Sequence, residues 1–262
     1  MKKIVALILV IVMAVCCFAA CSSNEKTIDS IKEAGVLTIA TSPDFPPFEF
    51  LNPDGTATGI EIEIFEKICE KLGVELKIEQ MDFDSILPGV QAGKFDAGVA
   101  GISINEDREK NVLFTDAYCL AAQAIVVPEG SDITCKADLE GKKIAVQTAT
   151  TAETFCLANN YDVSSFAANS DAELALTTGK VDAWVIDDLT AGEMVTAYNE
   201  DNESGLVILN EAMTSERYAF AFAFGSEEIV AEINKIIDGF VADGTIASIF
   251  EKYGVPYFAP EV

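Results

Sequence analysis

Histidine is missing from this 262-residue chain, and arginine occurs only twice, as Arg108 and Arg217. Without histidine, and with no CxxC spacing among Cys69, Cys119, Cys135 and Cys156, a zinc site is excluded. The same four cysteines do not demand a disulfide framework. Half the residues are apolar, and a chain of this length builds its own core without covalent staples. Cys69 and Cys156 fall at apolar positions of helical patterns, where buried free thiols are expected. Basic residues are scarce as well. Once Lys2 and Lys3 leave with the leader described below, 15 basic residues face 43 acidic ones, a formal charge of −28. Such a surface repels phosphate backbones and excludes a nucleic-acid partner. Long apolar runs are absent after residue 21, so the remainder is expected to be soluble on the outer side of a membrane.

One long apolar run is present, at the start. Lys2 and Lys3 precede an unbroken stretch of apolar and small residues from Ile4 to Ala20, followed by Cys21. This reads as a secretory signal peptide over residues 1–20, with an uncleaved N-terminal anchor as the alternative. Small residues just before the cysteine favour cleavage. Phe18, Ala19, Ala20 and Cys21 resemble a bacterial lipoprotein box, which implies lipidation of Cys21 and a short polar tether over residues 21–26.

From residue 35 onward, β-branched runs alternate with segments of helical period, the rhythm of an α/β fold. VLTIAT (36–41), VELKIEQ (74–80) and FDAGVAG read as strands, while Ile64, Phe65, Ile68 and Leu72 mark a helical stripe. After Pro128 the rhythm repeats, with KKIAVQT (142–148) and VDAWVID as strands between helical segments. GKFDAGVA (93–100) and GKVDAWVI (179–186) share five positions, which suggests two similar lobes. AAQAIVVP (121–128) and RYAFAFAFG (217–225) are extended and look like the crossings between lobes. Helices over 227–243 and 245–253 would then return to the first lobe. Two lobes joined by two strands leave a cleft that can close by hinge motion.

In open α/β sheets ligands bind beyond the carboxyl ends of the strands, and four such loops are readable. TSPDFPPFEF (41–50) is held stiff and extended by Pro43, Pro46 and Pro47; it either presents Phe45 to a ligand or uses it to cap the core. AGISINEDR brings Gly101, Ser103 and Arg108 to the same end. A guanidinium forks onto a carboxylate, although Arg108 could equally pair at the surface with Glu106, Asp107 or Glu109. QTATTAETF (147–155) opens a helix after a strand, so free N–H groups and the hydroxyls of Thr150 and Thr151 form an anion site, of which capping explains one threonine. VIDDLTAGE ends a strand on Asp187 and Asp188, and N-capping needs only one of them. A guanidinium and helix-terminal amides for a carboxylate, an aspartate for an ammonium and an aromatic between them complement a free α-amino acid. Countercharges offset the several kcal/mol per ion that burying a zwitterion costs.

PDFPPFEF, GIEIEIFEKICEKLG, MDFDSILPGVQAGKFDAGVAGISINEDREKNVLFTDAY and GKKIAVQTATTAETF follow one another in that order. With them the chain resembles the amino-acid-binding proteins of bacterial ABC importers, extracellular solute-binding proteins of family 3. The resemblance implies a two-lobed periplasmic-binding-protein-like fold of type II, with two hinge strands and a ligand cleft between the lobes. The expected map is lobe 1 over 27–117 plus 219–262, hinge crossings at 118–122 and 214–218, and lobe 2 over 123–213.

By the same resemblance Arg108 and Thr151 hold the ligand carboxylate, Ser103 and the Gly101 carbonyl meet the amino group, Asp187 neutralises it, and Phe45 and Phe83 sandwich the side chain. Ser42 stands where several relatives use aspartate, and Gln147 where the glutamine receptor has lysine, so a polar uncharged or mid-sized amino acid is expected. Glu61 replaces the usual aspartate of a helix start. The implied partners are a membrane permease with its ATPase and, through the lipid, the membrane; the protein is expected to be a monomer without cofactors, extracytoplasmic, and no enzyme. The rival is a dehydratase on the same fold acting on prephenate- or arogenate-like substrates through a cleft carboxylate.

Overall fold

A computed structural model describes residues 26–260; the signal peptide, Cys21 and all of the tether but Lys26 lie outside them. The first helix, α1 (Ile28–Ala34), starts where the Thr27 hydroxyl accepts from the Ser30 N–H and ends at Gly35. It delivers the chain into β1 (Val36–Thr41), the stretch VLTIAT, whose β-branched residues favour a buried strand. Next come β2 (Asp44–Phe45), β3 (Glu49–Leu51) and β4 (Ala57–Thr58), a small antiparallel sheet. The proline-rich segment is therefore not wholly an extended loop. Pro46 and Pro47 sit in the turn, where a missing N–H costs no ladder bond, so Asp44 pairs with Phe50 and Phe45 with Glu49.

Helix α2 (Ile60–Leu72) buries Ile64, Phe65, Ile68 and Leu72 along one face. Its approach to β3 is tight: a Cβ on Gly59, which has φ +133°, would fall 2.2 Å from the Phe48 carbonyl oxygen. Then follow β5 (Glu75–Gln80), α3 (Phe83–Gln91), β6 (Ala97–Gly98), α4 (Glu106–Glu109) and β7 (Leu113–Phe114). The chain leaves this region through β8 (Cys119–Ala121) and enters a second unit made of β9 (Gln123–Pro128), β10 (Lys143–Gln147), α5 (Thr151–Ala158), β11 (Asp162–Phe166), α6 (Asn169–Thr177), β12 (Ala183–Asp187), α7 (Asp188–Asp201) and β13 (Leu206–Ile208). It returns through β14 (Glu216–Tyr218) to β15 (Ala221–Phe222), α8 (Glu227–Ala242) and α9 (Thr245–Lys252).

Two five-stranded sheets result, in the orders β5-β1-β6-β15-β7 and β11-β10-β12-β9-β13. This is the two-lobed α/β architecture. The repeated motif occupies corresponding places, since β6 and β12 are the central strands. Its aspartate has the same task twice: Asp96 accepts from the Thr38 N–H at 2.8 Å, and Asp182 from the Lys143 N–H at 2.8 Å, each pinning the start of the neighbouring strand. The crossings pair with one another, β8 with β14 in antiparallel register. AAQAIVVP instead lies mostly inside a lobe sheet as β9, and RYAFAFAFG gives Arg217 and Tyr218 to the crossing strand β14 and Ala221 and Phe222 to a lobe sheet as β15, because a buried strand reads alike in either place. On its other side β8 is covered by the end of the chain, the Leu120 N–H donating to the Phe258 carbonyl at 2.9 Å.

Helices α8 and α9 pack back onto α2, and the core there is aromatic, with Phe65 and Tyr118 both against Phe220. Cys69, Cys119 and Cys156 are buried free thiols and Cys135 a half-buried one. Burial pushes Cys69 and Cys156 each up to about 12. Among the described residues no helix is long and apolar enough to cross a membrane.

Candidate functional site

The strand ends of both lobes meet around the crossing strand β14. From the first lobe comes the turn after β6, where Gly101 holds φ +53° and its N–H donates to Glu61 at 2.9 Å. Glu61 is fully buried and also accepts from the Tyr118 hydroxyl, so this glutamate at the start of α2 braces the turn. The Phe45 ring lies directly over Gly101; a Cβ there would come within 2.5 Å of the ring edge. Only glycine lets the backbone reach both the left-handed conformation and that distance. Phe45 is itself stacked on Phe48 at 5.6 Å.

Arg108 springs from the short helix α4, capped by Asn105. Its guanidinium donates Nη1 to the Ser103 carbonyl at 2.8 Å and, across the gap, Nη2 to the Ala149 carbonyl at 3.0 Å. It also sits 5.5 Å above the Phe83 ring, a cation–π contact. Burial lowers its pKa and the charges of Glu216 and Asp187 raise it, leaving it somewhat below the usual arginine value.

The second lobe contributes two helix starts. Thr150 caps α5, its hydroxyl accepting from the Glu153 N–H and donating to the Gln147 carbonyl, so it is turned to the helix. Thr151 is the one that faces the gap; its hydroxyl donates to Glu216 at 2.8 Å and accepts from Gln123 at 3.2 Å. The two aspartates divide the work in the same way. Asp188 accepts from the Leu189 N–H at the start of α7, whereas Asp187 makes no capping bond and instead accepts from the Tyr218 hydroxyl. Burial first, then the charge of Glu216, push Asp187 up to about 7, against the donors Tyr218 and Gln123.

At the far side Ser42 donates to Asp44 at 3.0 Å, and Asp44 accepts from the Asn169 N–H at 2.6 Å and from Gln147 at 3.4 Å. Burial raises the Asp44 pKa and these donors lower it, with burial the larger. The structure thus gathers Gly101, Ser103, Arg108, Thr151 and Asp187 at one place and Ser42, Phe45 and Gln147 beside it; Phe83 underlies Arg108. Contacts between the lobes draw the gap shut on the Asp44 side. The open space lies on the other side of Arg108, a cavity of about 950 Å³ walled by Ser103, Arg108, Thr151, Phe155, Glu216 and Arg217 among others. Of the expected site residues only Ser103, Arg108 and Thr151 line it; Ser42, Phe45, Phe83, Gly101, Gln147, Thr150 and Asp187 are not on its walls.

Sequence reasoning overlooked Asp44, Gln123, Glu216 and Tyr218. Glu216 is 8% exposed, and its carboxylate accepts from the hydroxyls of Ser103, Thr151 and Thr214. A signal existed: in an alternating strand Glu216 and Tyr218 share a face, so a buried tyrosine implies a buried glutamate two residues earlier. Behind the site Glu49 and Glu61 are both fully buried. Burial, reinforced by the charge of Glu61, holds Glu49 well above the usual carboxylate range.

The comparisons with known proteins agree with the two-lobed fold. A family model for bacterial extracellular solute-binding proteins, family 3, matches residues 37–256. The L-cystine-binding protein TcyJ of Escherichia coli (strain K12) is 28% identical over 254 residues, spanning 95% of this chain and 92% of that protein. A probable histidine-binding protein of Campylobacter jejuni is 31% identical over 240 residues, spanning 89% and 92%. Among solved structures, a mutant of ArgBP from T. maritima has a TM-score of 0.81 at 37% identity, covering 86% of this chain and 98% of that one.

Proposed function

Because this chain belongs to the bacterial extracellular solute-binding proteins of family 3, we propose that it is the substrate-binding lipoprotein of an amino-acid ABC importer. It takes up a free α-amino acid between its lobes, closes on it, and delivers it to a membrane permease with its ATPase. Lipidated Cys21 holds it at the outer face of the membrane, at the cell surface or in a periplasm. The observation that carries the reading is the meeting of Gly101, Ser103 and Arg108 from one lobe with Thr151 and Asp187 from the other. In the bound state Arg108 and the start of α5 receive the carboxylate, and Asp187, Ser103 and the Gly101 carbonyl receive the ammonium.

The relatives carry names for cystine, histidine and arginine, so they do not choose a side chain. The side-chain end is lined by Ser42 and Gln147, and the one charge there, Asp44, already accepts from both of them and from the Asn169 main chain. A polar uncharged or mid-sized amino acid fits that lining. Thermal denaturation with each of the twenty amino acids tests the reading, because ligand at 100 times its Kd adds about 2.7 kcal/mol. A melting temperature that none of them moves would overturn it.

One observation favours a second reading, a dehydratase for prephenate- or arogenate-like substrates: Asp187, at about 7, is an acid poised near neutrality inside a cleft. Release of an aromatic product on incubation would support it, and no product would set it aside.

A further inference from the structure

We infer that Glu216 is a second counter-ion for the ligand ammonium, so that the site selects a free protonated amine through two carboxylates on separate strands. The inference rests on the amino-acid reading above and adds to it a residue and a selection rule.

Glu216 opens β14, the strand by which the chain crosses back from the second lobe to the first. One oxygen of its carboxylate accepts from Ser103 of the first lobe and from Thr151 of the second, at 2.8 Å in the latter case; the other accepts from Thr214 at 2.8 Å. All three donors are neutral hydroxyls. Arg108, whose guanidinium feels the charge of Glu216, bonds through Nη1 and Nη2 to the carbonyls of Ser103 and Ala149. Arg217, the next residue on the strand, is exposed while Glu216 and Tyr218 are buried, as alternation requires.

The Tyr218 hydroxyl bonds Asp187, so Glu216 and Asp187 are linked through adjacent positions on one strand face. The charge of Glu216 acts on both Asp187 and Arg108. Two buried carboxylates therefore share a site with one guanidinium. A zwitterion whose carboxylate engages Arg108 brings its ammonium as the cation the pair lacks, and burying two anions without it is costly.

Hydroxyl directions point the same way. A hydroxyl has one proton. Ser103 and Thr151 both commit theirs to Glu216, which leaves the Ser103 oxygen able only to accept from a ligand. An ammonium offers three N–H donors, enough for Asp187, Glu216 and one of the Ser103 oxygen or the Gly101 carbonyl. At that position an α-hydroxy acid offers one donor and no positive charge, and an N-acetyl amino acid one amide N–H and no positive charge.

The test uses calorimetry on the full mature chain with the amino acid that the wild type binds best and with its α-hydroxy acid. Glu216→Gln keeps the shape and removes the charge; it is expected to weaken the amino acid by at least about 30-fold and not to weaken the hydroxy acid. If that variant does not fold, Asp187→Asn decides. With Glu216 as a second anion, Asp187→Asn still prefers the amino acid over the hydroxy acid by more than about tenfold, and with Asp187 as sole counter-ion the preference disappears. Equal affinity of Glu216→Gln and wild type for the amino acid overturns the role of Glu216 alone. A wild type that binds no amino acid sinks the reading beneath it.

Discussion

As the counter-ion proposed above, Asp187 should make ligand affinity depend on pH, with a sign set by its raised pKa. In the ligand-free protein this carboxyl titrates at about 7, so below neutrality it holds a proton that an arriving ammonium must expel. Affinity should therefore fall as the solution is acidified, approaching tenfold per pH unit and reaching about 100-fold between pH 8 and pH 5. At pH 6 each binding event should release more than about half of a proton, which calorimetry in buffers of different ionisation enthalpy measures directly. The chain has no histidine, so the side chain that ordinarily titrates in this range is absent. Asp187→Asn should remove both the proton release and the slope. A flat affinity from pH 5 to 8, with no proton released by the wild type, would refute the reasoning.

Stability of the ligand-free protein moves oppositely. The folded pKa is raised, so this contribution is complete below the unfolded value near 3.9 and is lost as pH rises through about 7. The span is about 3 pH units, or about 4 kcal/mol.

Arg108→Ala should lower affinity by about 3 kcal/mol, roughly 150-fold, because the ligand carboxylate is left buried and underpaired; an unchanged Kd removes Arg108 from the site. Gly101→Ala sets a Cβ 2.5 Å from the Phe45 ring in a left-handed backbone, so it should cost about 1–2 kcal/mol in urea unfolding for the backbone alone and weaken binding as the ring shifts; loss of neither would contradict the packing described. Glu49→Gln removes a carboxyl whose pKa is raised by burial and by Glu61. Its stability contribution is present below the unfolded value and lost as pH rises, so the variant should gain melting temperature relative to wild type at about pH 8 and gain less at about pH 4; the reverse order would place Glu49 in a different environment.

Much of this was readable in advance. VLTIAT is β1 residue for residue, and the stripe Ile64, Phe65, Ile68, Leu72 is the buried face of α2, because local period and burial coincide there. The capping candidates separate differently: Thr150 caps α5 through the Glu153 N–H, whereas at α7 the N-cap residue Asp187 makes no side-chain cap bond and Asp188 accepts from the adjacent Leu189 N–H and from the Ala122 N–H.

Glu216 was hidden for a different reason. Next to Arg217 in TSER it looks like a solvated turn residue, and its partners Ser103 and Thr151 are 113 and 65 positions away. Sequence distance of that order carries no local signature. AAQAIVVP has the pattern of any buried strand and runs mostly inside a lobe sheet as β9; only the pairing of β8 with β14 marks where connector gives way to sheet.

The main-chain bond from Leu120 to Phe258 gives the last residues a purpose beyond ending α9. A two-stranded ribbon left bare on one flank is a ready template for a neighbouring molecule to stitch onto. Here the protein closes that flank with its own tail. A substitution in the segment around Phe258 would therefore be felt at the connector between the lobes.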